Sequence, residues 1–169
     1  DLLAWSPPGW GATLAAGLAK SVLIAIGAFG LGLLIGVGGA YGKLYGGPVT
    51  KDLLAVYTTV VRAVPELILI LIIYFAFTDA VNQILLGLGR EKMQVSGVVA
   101  GITVLGVVQG AYATEVLRGA ILAVPSGQIE AARAMGMAPA LMARRITLPL
   151  MLSLALPGLA NLWLVATKD

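Results

Sequence analysis

The sequence predicts an all-α fold, a polytopic bundle of transmembrane helices with four spans present. Three observations carry this. Apolar residues make up 59% of the 169 positions and charged residues 11%, whereas soluble domains sit near about 45–50% and about 25%. The mean hydropathy is +0.97. Several stretches stay uncharged for the roughly 20 residues that a helix needs to cross a bilayer. Glycine, at 22 of 169, stands near twice its average usage of about 7%. That suits helices packed closely in lipid. A soluble enzyme, a disordered chain and a nucleic-acid binder are poor fits. The pI of 9.4 rests on a net charge of only +3, so nucleic acid is not an expected partner. Cysteine and histidine are both absent, which removes thiolate chemistry and the commonest general base and metal ligand.

Four spans follow in order. Ser21–Ala40 is uncharged throughout. It is too long and too rich in glycine for a cleaved signal peptide, with only Lys20 ahead of it and no small-residue cleavage site after it. Leu53–Thr78 carries Arg62 and Glu66 in its first half and then a strongly apolar run. Met93–Thr114 is again uncharged, and Ile146–Thr167 completes the set. The runs lack the alternation of barrel strands and are about twice their length. All four belong to one domain, 1–169. The chain starts at Asp1 and stops at Lys168-Asp169, directly after an apolar span, so a trimmed fragment is expected. No internal repeat is visible, which weakens an inverted-repeat secondary carrier. Lys43, Lys51, Arg62, Arg118, Arg133, Arg144 and Arg145 lie on one side, and Lys20, Arg90, Lys92 and Lys168 at most on the other. The positive-inside rule then puts the first and third loops in the cytoplasm and the N-terminus outside.

Within the spans, Gly32 with Gly36, Gly97 with Gly101, and Gly106 with Gly110 form small-xxx-small steps. Each step lets a neighbouring backbone come close, either as static packing or as a sliding surface. Buried charge is more costly and more informative. Arg62 and Glu66 are four apart and are expected to share a helix face. Pro65 lies between them, where a helix starts or kinks. Glu115 and Arg118 are three apart at the cytoplasmic end of the third span. Each pair reads as self-neutralising or as a gate or substrate contact. Gln109 and Asn161, well within their spans, read as interhelical glue or as pathway residues.

The third loop, Val124–Pro149, carries the most specific pattern. Pro125, Ser126 and Gly127 break the preceding helix, and Ser126 is placed to cap a new one. Glu130 is expected in its first turn, where the helix dipole favours an anion. Ala131, Ala132 and Ala134 favour helix and present a slim surface. Gly136 ends or bends that helix, and Pro139 suits the first turn of a second one. Arg144 and Arg145 sit at its far end. The result is a short helix–bend–helix elbow outside the membrane. With Met135 and Met137, it suits docking into a groove on another protein. An amphipathic loop lying on the membrane surface is the plainer alternative.

Glu130-Ala131-Ala132, then Gly136, then Ile146-x-Leu148-Pro149 resembles the EAA signature of ABC-importer permease subunits. Arg62-Ala63-Val64-Pro65 looks like the RGTP/RGVP segment of the polar amino-acid permeases. Ala111-Tyr112-x-Thr114-Glu115-x-x-Arg118-Gly119 looks like their AYxxExxRG segment. Leu156-Pro157-Gly158 with Asn161 is similar to their LPGxxN, and Lys168-Asp169 to the start of their KDTSL stretch. Tyr57-Thr58-Thr59 and Ala123-Val124-Pro125 point to the histidine/lysine-arginine-ornithine and opine branch. The resemblance runs from about Gly17 onward. It departs at Ala63, where the family usually has glycine, and in the family's fifth span, which lies after the KDTSL stretch.

The resemblance implies the fold of an ABC type I importer permease in the bacterial inner membrane, truncated at its C-terminus. It implies ATP-driven import of polar, basic amino acids or opines. The implied partners are a cytoplasmic ATP-binding subunit dimer, a second homologous permease subunit and a periplasmic substrate-binding protein, within membrane lipid. Glu130, Ala131, Ala132, Gly136 and Met137 would couple to the ATPase. Arg62, Pro65, Glu66, Gln109, Glu115, Arg118 and Asn161 are the pathway or gate candidates. No cofactor is expected on this chain: ATP and Mg would be held by the partner. Gly42-Lys43 is followed by Leu44 and has Val37 where a phosphate-binding loop needs glycine. An ion-coupled secondary amino-acid carrier is the alternative, and a channel or scaffold subunit a further one.

Overall fold

The structure is a computed structural model, described over residues 4–5, 9–89 and 96–168, with the side chain of Glu66 outside that description. Every regular element among the described residues is helical. Helix α1 spans Gly11–Tyr45. At 1.5 Å per residue it is about 50 Å long, well beyond the ~30 Å hydrocarbon core. The Gly46 N–H closes its end on the Gly42 carbonyl at 2.9 Å, and Pro48 opens α2 (Pro48–Ala63). Proline at that position loses no helical bond, because the first N–H groups of a helix have no partner.

The expected second span is corrected here. Leu53–Thr78 is not one helix but parts of two: α2 ends at Ala63, and α3 runs Glu66–Gly87. Val64 has ψ 138°, because the ring of a following proline pushes the preceding residue out of the helical region. Leu67–Gly87 is the part long and apolar enough to cross a membrane. Hydropathy alone had joined it to the more polar α2.

The other expected spans keep their places and shift their ends. Helix α4 is Gly97–Leu122, so it carries Glu115 and Arg118 inside its last turns. Residues 93–95, with Arg90 and Lys92, lie outside the described residues. The elbow follows as α5 (Ser126–Ala134) and α6 (Pro139–Met142). A π-helical segment, Ala143–Thr147, leads into α7 (Leu148–Lys168). The widened turn, closed by the Leu148 N–H on the Ala143 carbonyl, comes just before Pro149. The ring of Pro149 would clash with the Arg145 carbonyl in a regular α-helix. Among the described residues four helical stretches are long and apolar enough to span: Gly11–Tyr45, Leu67–Gly87, Gly97–Leu122 and Pro139–Lys168.

Helix α4 is the hub, with α1, α2, α3 and α7 all packed on it. Neighbours across α1 and α4 advance together, Ile24 by Gly101, Leu31 by Gly106, Ile35 by Gly110 and Gly39 by Thr114. The two helices are therefore parallel. Helix α7 runs the other way, with Trp163 edge-on to Phe29 at 5.3 Å and Ala155 buried with Ala40, Leu117 and Ala120. On the far side of α4, Val61 of α2 and Leu69 of α3 pack with Val108 and Ala111. Apolar side chains such as Leu34, Ile72, Phe75 and Leu164 point outward, as lipid-facing positions do.

Five of the six small-step glycines sit in this packing, and Gly97 has open space around it. A Cβ on Gly36 would stand 2.5 Å from the Ala113 Cβ and 3.2 Å from the Thr114 backbone nitrogen. Backbone cannot swing aside, so α1 would have to leave α4. Gly36→Ala is therefore expected to lower stability by about 1–3 kcal/mol, the usual cost of overpacking. Gly38→Ala, with nothing within 4 Å, should leave it unchanged or raise it by up to about 1 kcal/mol, the helix propensity of alanine over glycine. Thermal unfolding of the two variants in detergent checks this, and equal midpoints would refute the close approach.

Candidate functional site

Two regions concentrate the polar chemistry. The first joins α1, α2 and α4. Lys43, in the last turns of α1, donates from Nζ to the Glu115 Oε1 of α4 and to the Thr58 Oγ1 of α2 at 2.7 Å. Thr58 in turn donates to the Leu54 carbonyl at 3.0 Å. Arg118 grips the other oxygen of Glu115, Oε2, through Nε at 3.1 Å and Nη2 at 2.9 Å. Lys43 and Glu115 are largely buried, with side chains 13% and 17% exposed. Two cations therefore share one carboxylate, and the cluster is net positive. Glu115 has both oxygens occupied, so it does not stand open to a cationic substrate. Beside the cluster, Arg62 of α2 sits over the Tyr112 ring at 5.9 Å. Lys43, Thr58, Thr59, Arg62, Tyr112 and Glu115 line an open cleft of about 550 Å³. Tyr57, the neighbour of Thr58, donates to the Val107 carbonyl and pins α2 to α4.

The sequence expectation that Arg62 and Glu66 share one helix face is corrected. The break at Val64–Pro65 puts Arg62 at the end of α2 and Glu66 at the start of α3. The four-residue spacing no longer corresponds to one helical turn. The side chain of Glu66 lies outside the described residues. Glu115 and Arg118, by contrast, are brought together as the spacing predicts.

Gln109 is almost fully buried, at 2% exposure. It shares a small gap with Phe29, Gly32, Leu33, Leu159 and Leu162. Its Oε1 has no hydrogen-bond partner among the described residues. Such an orphan acceptor costs about 1–3 kcal/mol. Asn161 is exposed on the outer side of α7, so within this chain it joins neither the packed interior nor the cleft.

The second region is the elbow. Helix α5 ends in a left-handed residue, Gly136, at φ +72°. The Met137 N–H reaches the Ala132 carbonyl at 3.1 Å and the Gly136 N–H the Arg133 carbonyl at 2.9 Å. This pair of bonds is the Schellman cap, and glycine takes its positive φ without the penalty that a Cβ brings. Ala132 is buried and Met137 half-buried, while Glu130, Ala131 and Met135 are exposed, Met135 by 83%. Two local expectations are corrected. Pro125, not Ser126, is the N-cap residue, and no side chain caps the helix. Glu130 is the fifth residue of α5, and no acid lies in its first turn, because the helix begins one residue earlier than a Ser126 cap would require.

Residues 28–169 match the family of binding-protein-dependent transport system inner membrane components. The chain belongs to this family. It is 43% identical over 170 residues to the nopaline transport system permease protein NocQ of Agrobacterium fabrum, which covers 99% of this chain and 72% of that protein. It is 40% identical over 160 residues to the histidine/lysine/arginine/ornithine transport system permease protein HisQ of Salmonella typhimurium, covering 95% and 70%. Among solved structures, an amino acid ABC transporter crystallised with histidines superposes with a TM-score of 0.76 at 30% identity, over 94% of this chain and 69% of that one. The MetNI methionine ABC transporter in inward-facing form gives a TM-score of 0.72 over 96% and 73%, and at 22% identity it shows the fold alone. The permease is thus a multi-pass inner-membrane protein, and its relatives are transport proteins rather than enzymes.

Lys43, Thr58 and Tyr112 were not singled out by sequence as site residues. Lys43 and Glu115 are 72 positions apart, and no local spacing pairs them. The network predicts a stability effect. Lys43→Met removes the link from Glu115 to Thr58 and is expected to lower stability by about 1–3 kcal/mol. Because the pair is largely buried, raising salt should not erase the difference. Unfolding midpoints at low and high salt check this. A difference that vanishes at high salt would place the pair at the surface.

Proposed function

We propose that the permease is the membrane subunit of an ATP-driven importer for basic amino acids or opines. It lines the translocation pathway and couples it to a cytoplasmic ATPase. The elbow carries this reading: a short helix fixed at both ends, with a rigid glycine cap and an exposed methionine, projecting between α4 and α7. Exposed Met135 and the small faces of Ala131 and Gly136 fit a groove on a partner protein. A pair of ATP-binding subunits, holding ATP and Mg, would supply that groove. A second, homologous permease subunit would complete the pathway. A periplasmic binding protein would deliver the substrate, with the N-terminus outside and the elbow in the cytoplasm. The substrate class rests on the named transport activities of the relatives NocQ and HisQ.

The mechanism is two-state. ATP binding draws two docked elbows together, and each moves as a unit. Helix α4 feeds the elbow and α7 leaves it, so the displacement passes to both helices and switches the side from which the pathway opens. Among the candidate residues, Glu130, Ala131, Ala132, Gly136 and Met137 are assigned to the docking element. Pro65, with Glu66, is assigned to the hinge between α2 and α3. Gln109, Arg118 and Asn161 are assigned to positions that move against their neighbours.

The test is retention of the ATPase. A valine at position 136 strains the left-handed cap by about 1–2 kcal/mol, whereas asparagine tolerates that conformation. A Cβ there meets nothing within 4 Å in this chain, so insertion should persist. Gly136→Val is expected to lose the co-purifying ATPase and uptake, and Gly136→Asn to keep most of both. If Gly136→Val retains its ATPase and uptake at the wild-type level, the elbow is not the coupling element.

A further inference from the structure

The long helices share one depth scale, and it places two unpaired cations at a membrane surface. Ser21 of α1, Gly101 of α4 and Lys168 of α7 line one gap, so they lie at one level. The hydrocarbon core is about 30 Å thick, or about 20 residues of helix. Counted from that level, the core ends near Tyr41 on α1, Ile121 on α4 and Leu148 on α7. Tyr41 and Tyr45 are exposed there, with ring centroids 4.8 Å apart, as aromatic residues at a membrane interface are. Arg144 and Arg145 precede Leu148 by one turn or less, which is the depth of the lipid phosphates. Both are exposed. Among the described residues and side chains, the ion pairs are Lys43–Glu115 and Arg118–Glu115, so neither arginine is paired. Glu130, on the α5 helix that packs on this segment, enters no ion pair with them either. The two arginines lie within the π-helical segment Ala143–Thr147. A π turn holds more residues than an α turn, so consecutive side chains diverge less around the axis. Directly after it, Leu148, Leu152 and Leu156 recur at every fourth residue and are all exposed.

We propose that Arg144 and Arg145 hold the headgroup of an anionic phospholipid in the leaflet on the elbow side. Each guanidinium presents a planar fork to the phosphate oxygens, and the narrow divergence of the π turn lets both reach one headgroup. The acyl chains lie along Leu148, Leu152 and Leu156. Depth and continuity favour lipid over an acidic protein surface: the arginines stand within a turn of the core boundary, at the head of an apolar stripe that crosses it. The lipid would fasten the exit of the elbow to the membrane surface. The site does not depend on what the chain transports.

The test is local lipid selectivity in the full complex. This chain has no cysteine, so Leu152→Cys gives a single labelling site on the exposed stripe, in a complex whose partner subunits are cysteine-free. A bimane label there is read in phosphatidylcholine nanodiscs. Nitroxide-bearing phosphatidylglycerol or nitroxide-bearing phosphatidylcholine is then titrated in as the quencher. The phosphatidylglycerol probe is expected to quench at a mole fraction at least about 5-fold lower, since each arginine near an anionic headgroup is worth about that factor. High salt should narrow the gap. Arg144→Gln with Arg145→Gln should make the two probes equal. Arg144→Lys with Arg145→Lys should keep part of the preference, because an ammonium retains the charge and loses the fork. Equal quenching by the two probes in the complex with both arginines present overturns the proposal, and that comparison needs no arginine variant. So does a preference that survives the double glutamine change. Quenching by neither probe, with the ATPase lost from the double glutamine variant, would place a protein surface on these arginines and overturn the proposal as well.

Discussion

Everything in this permease depends on how closely α1 lies against α4. In lipid there is no hydrophobic drive to bring two helices together, because the surroundings are as apolar as the side chains. What remains is dispersion, which needs contact, and contact between backbones needs the absence of side chains. Gly32, Gly36 and Gly39 on α1 meet Gln109, Ala113 and Thr114 on α4, and Gly106 and Gly110 on α4 receive Leu31 and Ile35 in return. The exchange alternates sides, so neither helix has one smooth face. Because the two helices run parallel, the seam continues to the end where α1 carries Lys43 and α4 carries Glu115. Widening the seam would lengthen the reach that Lys43 must span to Glu115. The packing and the charge chemistry are therefore one construction.

The seam also explains why polar groups are tolerated at its centre. Thr114 is fully buried and satisfies itself by donating to the Gly110 carbonyl at 2.7 Å, a bond available because it lies within one helix. Gln109 has no such recourse. Its side chain is long enough to leave its own helix and short of any donor on α1 or α7 among the described residues. An unsatisfied acceptor in a low-dielectric interior raises the energy of the arrangement that contains it. That cost sits where α1, α4 and α7 meet, on the helix that leads into the elbow.

The sequence made much of this legible, and its failures have identifiable causes. Spans were readable because hydropathy is a sum over many residues and survives local error. The elbow was readable because proline and glycine act through their own backbone geometry: Pro139 opens α6 and Gly136 takes the left-handed cap. The Glu115–Arg118 pair was readable because its three-residue spacing lies within one helix. Arg62 and Glu66 were misread by the same rule, since Pro65 stood between them and the spacing ceased to mean a turn. Ser126 and Glu130 were misplaced by a single residue at a helix start, which no side chain here fixes. Lys43 was beyond reach for a different reason. Its partners Thr58 and Glu115 are 15 and 72 positions away, and only the fold brings them into one place.

The elbow and the cleft are joined by construction. Helix α4 holds Glu115 and Arg118 about three and two turns before α5 begins, and α2 reaches that point through the Lys43 bond to Thr58. Any displacement of α5 that rotates the end of α4 must carry Glu115 with it. Lys43 can follow Glu115 or stay with Thr58, and a largely buried ammonium cannot lose either partner without cost. A displacement at the elbow end of α4 is thus felt at α2, which carries Arg62 next to its last residue, Ala63, ahead of the helix break at Val64–Pro65. The same lysine that pairs with Glu115 also bonds Thr58, about one helical turn before Arg62 on α2. That bond ties α4, which leads into the elbow, to α2, which lines the cleft.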